Sequence, residues 1–383
     1  MTGRLSRIFC AGLGLLAVSA TTALAADPIR IGAIFSVTGP ASFLGEPEKN
    51  TAKMLEEQIN KSGGLLGKNV EVIVYDDETD ATKAVTAFDR LAKKDQVVAV
   101  IGPSTTGSTL AIVPKAEESQ IPLFSAAAAK KIVSPVKKWV FKSPQSDDLA
   151  VRRIYNHAKG AGITKIAIIS ASDAFGAAGR EELLAIAKTA GLDIVADEVF
   201  GPKDTDMTAQ LTKIKGTDAQ AIICWGTNPG PAVIARNRVQ LGISIPLYMS
   251  HGVASKKFIE LAGAENAEGI MLPAGRLIVE GQVADDHPQK KVISTYKKNY
   301  EETFKQDVST FGGHAYDSLM LVVEAIKLAN STEPAAIRDA LEKVKKFYGT
   351  AGEFNLSPED HNGLNEDAFV MVKIVGGNWQ MQK

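Results

Sequence analysis

Short apolar runs rich in β-branched residues alternate with longer amphipathic stretches in the first part of the chain. The first run is Ile29–Phe35, and the helical pattern after it extends from about Glu46 to Lys61, where Ser62-Gly63-Gly64 is a helix stop. The alternation continues with predicted strands over Val70–Tyr75, Val97–Ile101 and Ile121–Phe124, and with predicted helices over Thr79–Lys93 and from Gly107. Strands that alternate with helices predict a parallel sheet with helices on both faces.

The alternation of strands and helices begins again after residue 142 and predicts a second unit of similar size. Helices are predicted over Asp147–Gly160 and Gly179–Ala190, and strands and helices alternate as far as Met249. The segment from Pro288 to Lys345 is rich in helical patterns, and Phe369–Val375 predicts a final strand. We therefore predict an α/β fold of two Rossmann-like lobes, each a parallel sheet flanked by helices, joined by crossover hinge strands.

The N-terminus has the pattern of a secretory signal peptide. Arg4 and Arg7 precede an apolar run from Ile8 to Ala20, and Ala23-Leu24-Ala25 provides small residues at a cleavage site. The apolar run is shorter than the roughly 18 residues that favour a membrane span, and no later run approaches that length. We expect a signal peptide over residues 1–25 and export to the periplasm. A retained anchor helix is the alternative.

Net charge, length and cysteine content limit the possible partners and the number of domains. The 383 residues include 43 Lys and Arg and 44 Asp and Glu, for a net charge of -1, which gives no electrostatic basis for binding nucleic acid or an anionic membrane surface. The length exceeds what one hydrophobic core usually serves, so two domains are expected. Of the two cysteines, Cys10 lies in the expected signal peptide, and Cys224 lies in an apolar run and is interpreted as a small buried hydrophobic residue.

Sequence signatures of catalysis and of cofactor binding are absent. The glycines after the first strand, Gly32, Gly39 and Gly45, do not form the G-x-G-x-x-G pattern of a dinucleotide site. Neither a G-x-x-x-x-G-K-[ST] phosphate loop nor a G-x-S-x-G nucleophile turn occurs, and the five histidines lack metal-ligand spacing. We therefore expect a non-enzymatic protein without a metal or other cofactor.

A series of short motifs follows the expected cleavage site in a fixed order. The motifs are Thr38-Gly39-Pro40, Ile59-Asn60, Gly63-Gly64, Tyr75-Asp76-Asp77, Val100-Ile101-Gly102-Pro103, Thr105-Thr106-Gly107, Ile121-Pro122, Ser125-Ala126-Ala127, Phe175-Gly176, His251-Gly252-Val253, Ala315-Tyr316-Asp317 and Gly377-Asn378-Trp379. Together they resemble the leucine/isoleucine/valine-binding proteins, which are type I periplasmic solute-binding proteins of ABC importers. The resemblance covers essentially the whole mature chain.

The resemblance implies a domain organisation and a set of partners. With the rhythm of predicted elements, it implies an N-terminal lobe of residues 26–145 plus about 275–355, and a C-terminal lobe of residues 146–274 plus about 356–383. It also implies a small-molecule ligand captured by hinge closure, an ABC permease in the inner membrane as partner, and a monomer. An alternative is a ligand sensor that signals to a receptor.

Thr105, Thr106 and Gly107 form the expected carboxylate site. They lie where the third strand gives way to a helix, so hydroxyls and free backbone N–H groups converge on the positive end of that helix. An alternative is plain N-capping, which needs one hydroxyl and no ligand. The resemblance places the backbone of Ala127, after the fourth strand, beside the charged end of the ligand.

Two further positions leave the ligand class open. The resemblance implies that amino-acid-binding relatives hold the ammonium with a threonine hydroxyl and an acidic residue, and the matching residues here are Ala129 and His251. Since neither provides a negative charge or a hydroxyl, we predict an aromatic or branched organic acid, including keto and hydroxy acids. A branched-chain amino acid or amide is the alternative. His251 is expected to donate to the ligand, and the alternatives are a structural histidine or a role for Ser250 instead.

The remaining candidates form the walls of the expected pocket. By resemblance, the second lobe contributes Phe175, Trp225 and Thr227. The first lobe contributes Phe43 and Leu44, and Phe311 lies near the hinge. Core packing beneath the cleft is the alternative for Phe175 and Trp225. Side chains of this kind predict a small-molecule cleft with largely apolar walls.

Overall fold

The computed structural model describes residues 27–382, so the expected signal peptide lies outside the described residues. Its strands are, in chain order, β1 Ile29–Phe35, β2 Val70–Asp76, β3 Ala99–Ile101, β4 Leu123–Ser125, β5 Val140–Lys142, β6 Lys165–Ala171, β7 Asp193–Phe200, β8 Ala221–Trp225, β9 Leu247–Met249, β10 Met271–Ala274, β11 Phe347–Tyr348, β12 Glu353–Phe354, β13 Val370–Val375 and β14 Asn378–Met381. Its α-helices are α1 Ser42–Lys61, α2 Ala81–Arg90, α3 Thr106–Ser119, α4 Asp147–Gly160, α5 Ala174–Ala190, α6 Thr208–Lys215, α7 Gly230–Gln240, α8 Lys256–Ala262, α9 Ala264–Ala267, α10 Lys290–Phe304, α11 Thr310–Ala329 and α12 Pro334–Leu341.

The first sheet consists of five parallel strands in the order β2-β1-β3-β4-β5. In its register, Ile31 pairs with Val72 on one side and with Ala99 on the other. Both faces of β1 are buried, which explains why its sequence is a nearly continuous apolar run instead of an alternating one. The strand order reverses at β1, between β2 and β3.

The second sheet has seven strands in the order β14-β13-β10-β9-β8-β6-β7. The five strands from β10 to β7 are parallel, and β13 and β14 add an antiparallel edge. Ile168 pairs with Ile223 in the parallel part, and Leu272 pairs with Val372 at the antiparallel step. Here the strand order reverses at β6, between β7 and β8.

Helices cover both faces of each sheet. On the first sheet, α1 and α11 bury one face and α2 and α3 bury the other. On the second sheet, α6, α7 and α8 pack on one face, and α4 and α5 pack on the opposite face. The predicted fold class, two α/β lobes with parallel sheets flanked by helices, is confirmed.

The chain passes between the two cores at three places that lie together. The first passage joins Lys142 at the end of β5 to Asp147 at the start of α4. The second follows β10, and in the third Ala368 packs in the first core while Phe369 packs in the second. Gln145 in the first passage ties it to the third, because its side-chain amide donates to the backbone oxygen of Ala368 at 3.2 Å and also to that of Ala351 at 2.9 Å.

Candidate functional site

A cavity of about 350 Å³ lies between the two lobes. Its walls come from the loops at the carboxyl ends of β1, β3 and β4 in the first sheet and of β6, β8 and β9 in the second. These loops surround the points where the strand order of each sheet reverses, which is where open α/β sheets bind ligands. The topology alone therefore makes this cavity the candidate ligand site.

The first turn of α3 forms the first-lobe side of the cavity. Thr105 is the N-cap, and its hydroxyl accepts from the Ser108 N–H at 3.3 Å. The N–H groups of Thr106 and Gly107 have no acceptor within the helix, because they belong to its first turn. The Thr106 hydroxyl is buried without a hydrogen-bond partner, and so is that of Ser108. N-capping thus accounts for Thr105, whereas the Thr106 hydroxyl has no partner in the protein.

The first turn of α5 forms the opposing side. The N-cap is Asp173, whose carboxylate accepts from the Gly176 N–H at 2.8 Å. Phe175, in the same turn, lines the cavity, and its ring centre lies 5.9 Å from that of Trp225 and 5.6 Å from that of His251. The positive end of α5 therefore already carries a carboxylate, whereas the first turn of α3 contains no acidic residue.

Two buried histidines, His251 and His314, line the cavity near the hinge. Burial, together with the nearby charges of His314 and Lys142, lowers the pKa of His251 to about 3. Burial and Lys142 likewise lower the pKa of His314 to about 3. Both rings are therefore neutral near pH 7. Neither ring nitrogen of His251 has a hydrogen-bond partner, and the same holds for Nδ1 of His314, so each imidazole can donate or accept toward a ligand.

Two buried titratable residues, Asp147 and Lys142, lie behind His251 at the first passage between the lobes. The Asp147 carboxylate approaches Nε2 of His251 at 3.9 Å, which is too long for a hydrogen bond. Burial raises the pKa of Asp147 and lowers that of Lys142, and their mutual attraction opposes both shifts. The Lys142 ammonium donates to the backbone oxygen of Pro144 at 2.7 Å. Neither charged group lines the cavity, so His251 separates Asp147 from any ligand.

The structure brings nine of the twelve predicted site residues together around this cavity. They are Leu44, Thr105, Thr106, Gly107, Ala127, Phe175, Thr227, His251 and Phe311. For Phe175 the ring is at the cavity wall and also packs on the second core, so both of its predicted roles apply.

Three predicted residues, Phe43, Ala129 and Trp225, do not line the cavity. Ala129 is fully buried in the core around α3, so its small side chain adds no space for a ligand. Trp225 is fully buried at the end of β8 beneath Phe175, as the core-packing alternative expects. Phe43 packs edge-on against Phe311 at 5.5 Å and lines a separate groove on the outside of the cleft.

The sequence analysis missed other residues of the cavity wall, among them Ser108, Lys203, Asn228 and His314. The position of Asn228 at the cavity could have been predicted from the sequence, because Asn228 follows Thr227 at the end of a predicted strand. His314 lies on α11, and only the return of the chain to the first lobe brings it to the cavity. Among residues 27–382, no cluster of His, Cys, Asp and Glu side chains suits a metal ion.

Comparison with known proteins decides the family. A family model described as periplasmic binding protein matches residues 28–378. The chain belongs to the periplasmic binding protein family. Within the described residues of this binding protein, no helix has both the length and the apolar character needed to cross a membrane.

Individual relatives are similar over nearly the whole chain. A leucine-, isoleucine-, valine-, threonine- and alanine-binding protein of Pseudomonas aeruginosa is 27% identical over 378 residues, which cover 97% of this chain and 96% of that protein. An extracellular ligand-binding receptor from Rhodopseudomonas palustris HaA2 superposes with a TM-score of 0.87 at 29% identity, covering 93% of this chain and 100% of that one. LivJ from Streptococcus pneumoniae, a branched-chain amino acid transporter substrate-binding protein in complex with isoleucine, gives a TM-score of 0.82 at 26% identity, covering 92% and 98%. The resemblance to leucine/isoleucine/valine-binding proteins is confirmed.

Proposed function

We propose that this binding protein captures a small carboxylate-bearing ligand between its lobes and delivers it to the permease of an ABC importer. The observation that carries the proposal is the first turn of α3, where Thr106 and Gly107 line the cavity and no acidic residue occupies the positive helix end. Such a helix end stabilises a carboxylate through its N–H groups and its dipole. The free Thr106 hydroxyl adds a third donor.

An aliphatic amino acid is the first candidate ligand. The Pseudomonas aeruginosa relative is named for leucine, isoleucine, valine, threonine and alanine, and the Streptococcus pneumoniae structure holds isoleucine. An α-ammonium group needs hydrogen-bond acceptors. A neutral ring nitrogen of His251 supplies one that has no partner in the protein.

An organic acid without an ammonium group is the second candidate. Asp173 is the one acidic side chain among the described residues of the cavity wall, and its carboxylate already caps α5. Asp147 lies behind His251. A ligand ammonium therefore meets no unpaired carboxylate, which favours a keto acid, a hydroxy acid or an aromatic acid.

Matched sets of three ligands in a thermal-shift experiment separate the candidates. Each set contains an amino acid and its 2-oxo and 2-hydroxy analogues, for example leucine with 4-methyl-2-oxopentanoate and 2-hydroxy-4-methylpentanoate. A ligand at a hundredfold excess over its dissociation constant stabilises the protein by about 2.7 kcal/mol, which is visible in a melting curve. Larger shifts for the amino acids support the first candidate, and larger shifts for the analogues support the second. A panel in which no carboxylate shifts the melting temperature contradicts the proposal.

We further propose that the protein is a monomer and that its lobes close on the ligand before delivery to the permease. The three adjacent passages between the lobes support hinge closure. Ligand-dependent uptake by membrane vesicles that contain the permease tests transport. A protein that binds ligand but supports no uptake, and instead modulates a receptor kinase, supports the sensor alternative. Recovery of the bound ligand unchanged after long incubation tests the expectation that the protein is not an enzyme.

A further inference from the structure

The carboxamide of Asn228 is a buried polar group without a partner. Its residue follows β8 by three positions and is 5% exposed. Neither its side-chain oxygen nor its side-chain nitrogen makes a hydrogen bond in the described part of the chain. A buried amide left unpaired is unfavourable, and native structures satisfy most such groups. Because Asn228 lines the cavity, a ligand bound there is the candidate for the missing hydrogen-bond partner.

The location of Asn228 distinguishes it from other unpaired polar groups of the second lobe. Ser170 and Ser255 are also buried without hydrogen-bond partners, but neither lines the cavity. Asn228 follows Thr227 in the second-lobe part of the wall of the cavity, which the first turn of α3 also lines. The part of the ligand that reaches the second lobe must supply the missing donor or acceptor.

Resting on the proposed function, we infer that Asn228 is a specificity-determining residue that hydrogen-bonds a hydroxyl, carbonyl or carboxamide group in the ligand, at a position away from the carboxylate held by α3. A carboxamide offers one acceptor and one donor group, so it is complementary to each of these groups. An all-hydrocarbon ligand side chain leaves both Asn228 atoms unpaired. The preferred ligand is therefore a carboxylic acid with a second oxygen function, such as threonine among the amino acids or a hydroxylated organic acid.

Isothermal titration of ligand pairs that differ by one oxygen tests the inference. Valine and threonine form a pair of nearly equal shape, and 3-phenylpropanoate and 3-(4-hydroxyphenyl)propanoate form a pair for organic acids. The wild-type protein is expected to bind the oxygenated member of at least one pair at least about tenfold more tightly, since loss of a hydrogen bond to a buried group has an effect of this order. In Asn228→Leu the preference is expected to fall below about threefold. Ser170→Ala, which removes an unpaired hydroxyl outside the cavity, is the matched control and should keep the wild-type preference.

The outcomes separate this inference from the proposed function. If wild-type protein binds carboxylates without preferring the oxygenated member, or if Asn228→Leu keeps the preference or weakens both members equally, Asn228 does not select the ligand, although the binding function stands. If no member of either pair binds wild-type protein, the proposed carboxylate ligand and this inference both fail. Asn228→Asp keeps the size of the side chain should the leucine variant not fold. The aspartate variant is expected to bind hydroxyl-bearing ligands and to lose binding of ligands that present a carbonyl, because a carboxylate accepts hydrogen bonds but does not donate them.

Discussion

Gly107 and Ala174 face each other across the cleft: a Cβ atom built on Gly107 would lie 3.8 Å from the Ala174 side chain. Each residue belongs to the first turn of a helix, α3 in the first lobe and α5 in the second. Two positive helix ends therefore meet at the cavity. Asp173 supplies a negative charge to α5, and α3 has no such residue. A ligand carboxylate at α3 would reduce the repulsion between the two ends and so favour closure.

The contact at Gly107 predicts a steric limit on ligand binding. Gly107→Ala places a methyl group at ordinary contact distance from Ala174, so its ligand affinity should stay within about threefold of the wild-type value. Gly107→Leu extends a larger side chain into the cavity or against α5, and we expect a loss of affinity of more than about a hundredfold. Calorimetric titration with the best ligand of the thermal-shift panel measures both. Equal affinities for the two variants would show that the lobes do not approach each other at Gly107 when ligand is bound.

The Thr106 hydroxyl is predicted to contribute directly to carboxylate binding. Thr106→Val keeps the shape of the side chain and removes the unpaired hydroxyl, so affinity should fall about tenfold, whereas Thr106→Ser should stay near the wild-type value. Thr105→Ala is the control. Because the Thr105 hydroxyl caps α3, this variant should lose about 1 kcal/mol of stability and little affinity. If the three variants bind with equal affinity, Thr106 does not contact the ligand.

Much of the fold follows from local sequence patterns. The strand over Ile29–Phe35 and the helix over Asp147–Gly160 are predicted with the bounds that the structure shows, because a continuous apolar run and an amphipathic stretch with clear ends each allow one interpretation. The start of α5 was predicted at Gly179 but lies at Ala174. The N-cap Asp173 marks that start, and its role depends on a single side-chain contact with the Gly176 N–H.

The candidate site was less predictable because it depends on long-range topology. The first turn of α3 was found, since a strand followed by threonines and a glycine is a local pattern. Trp225 was assigned to the cavity by resemblance, with core packing as the alternative, and it packs in the core. The sequence could not decide between the two, because a strand buried on both faces has no alternation that shows which face a side chain occupies. His314 lies near His251 only because the chain returns to the first lobe with α11. No local sequence pattern indicates this long-range proximity.

The buried state of His251 predicts a specific dependence of stability on pH. Its pKa is about 3 in the folded protein and about 6.5 in an unfolded chain, so the unfolded state binds more protons between these values. The contribution of this neutral histidine to stability is complete above pH 6.5 and is lost as the pH falls. Between pH 7.5 and pH 5, His251→Gln should therefore lose about 2 kcal/mol less stability than the wild-type protein. Urea unfolding at the two pH values measures the difference.

Other titrating groups do not obscure this comparison. Burial raises the pKa of Asp317 to about 7, and its contribution to stability changes with pH in the opposite direction. This carboxyl is present in wild-type and variant protein and accepts from the Thr350 and Ala351 N–H groups, so its effect cancels in the difference. His287→Gln is a matched control with a smaller expected difference, because His287 is less buried. If His251→Gln and the wild-type protein lose equal stability on acidification, His251 is protonated in the folded state as readily as in the unfolded chain.

An ion pair at the edge of the cleft predicts a salt-dependent contribution to closure. The Lys256 ammonium on α8, which packs on the second core, lies 2.9 Å from the carboxylate of Asp307, which precedes α11 on the first lobe. Both side chains are more than half exposed, so the pair should contribute less than about 1 kcal/mol. Lys256→Glu should therefore weaken ligand binding about threefold at low ionic strength, as should Asp307→Lys, and the double variant should restore affinity because the pair is re-formed with its charges exchanged. In about 1 M salt all four proteins should bind alike, since screening removes the attraction. If the double variant binds as weakly as the single variants in calorimetric titrations at low salt, the two side chains do not interact in the ligand-bound protein.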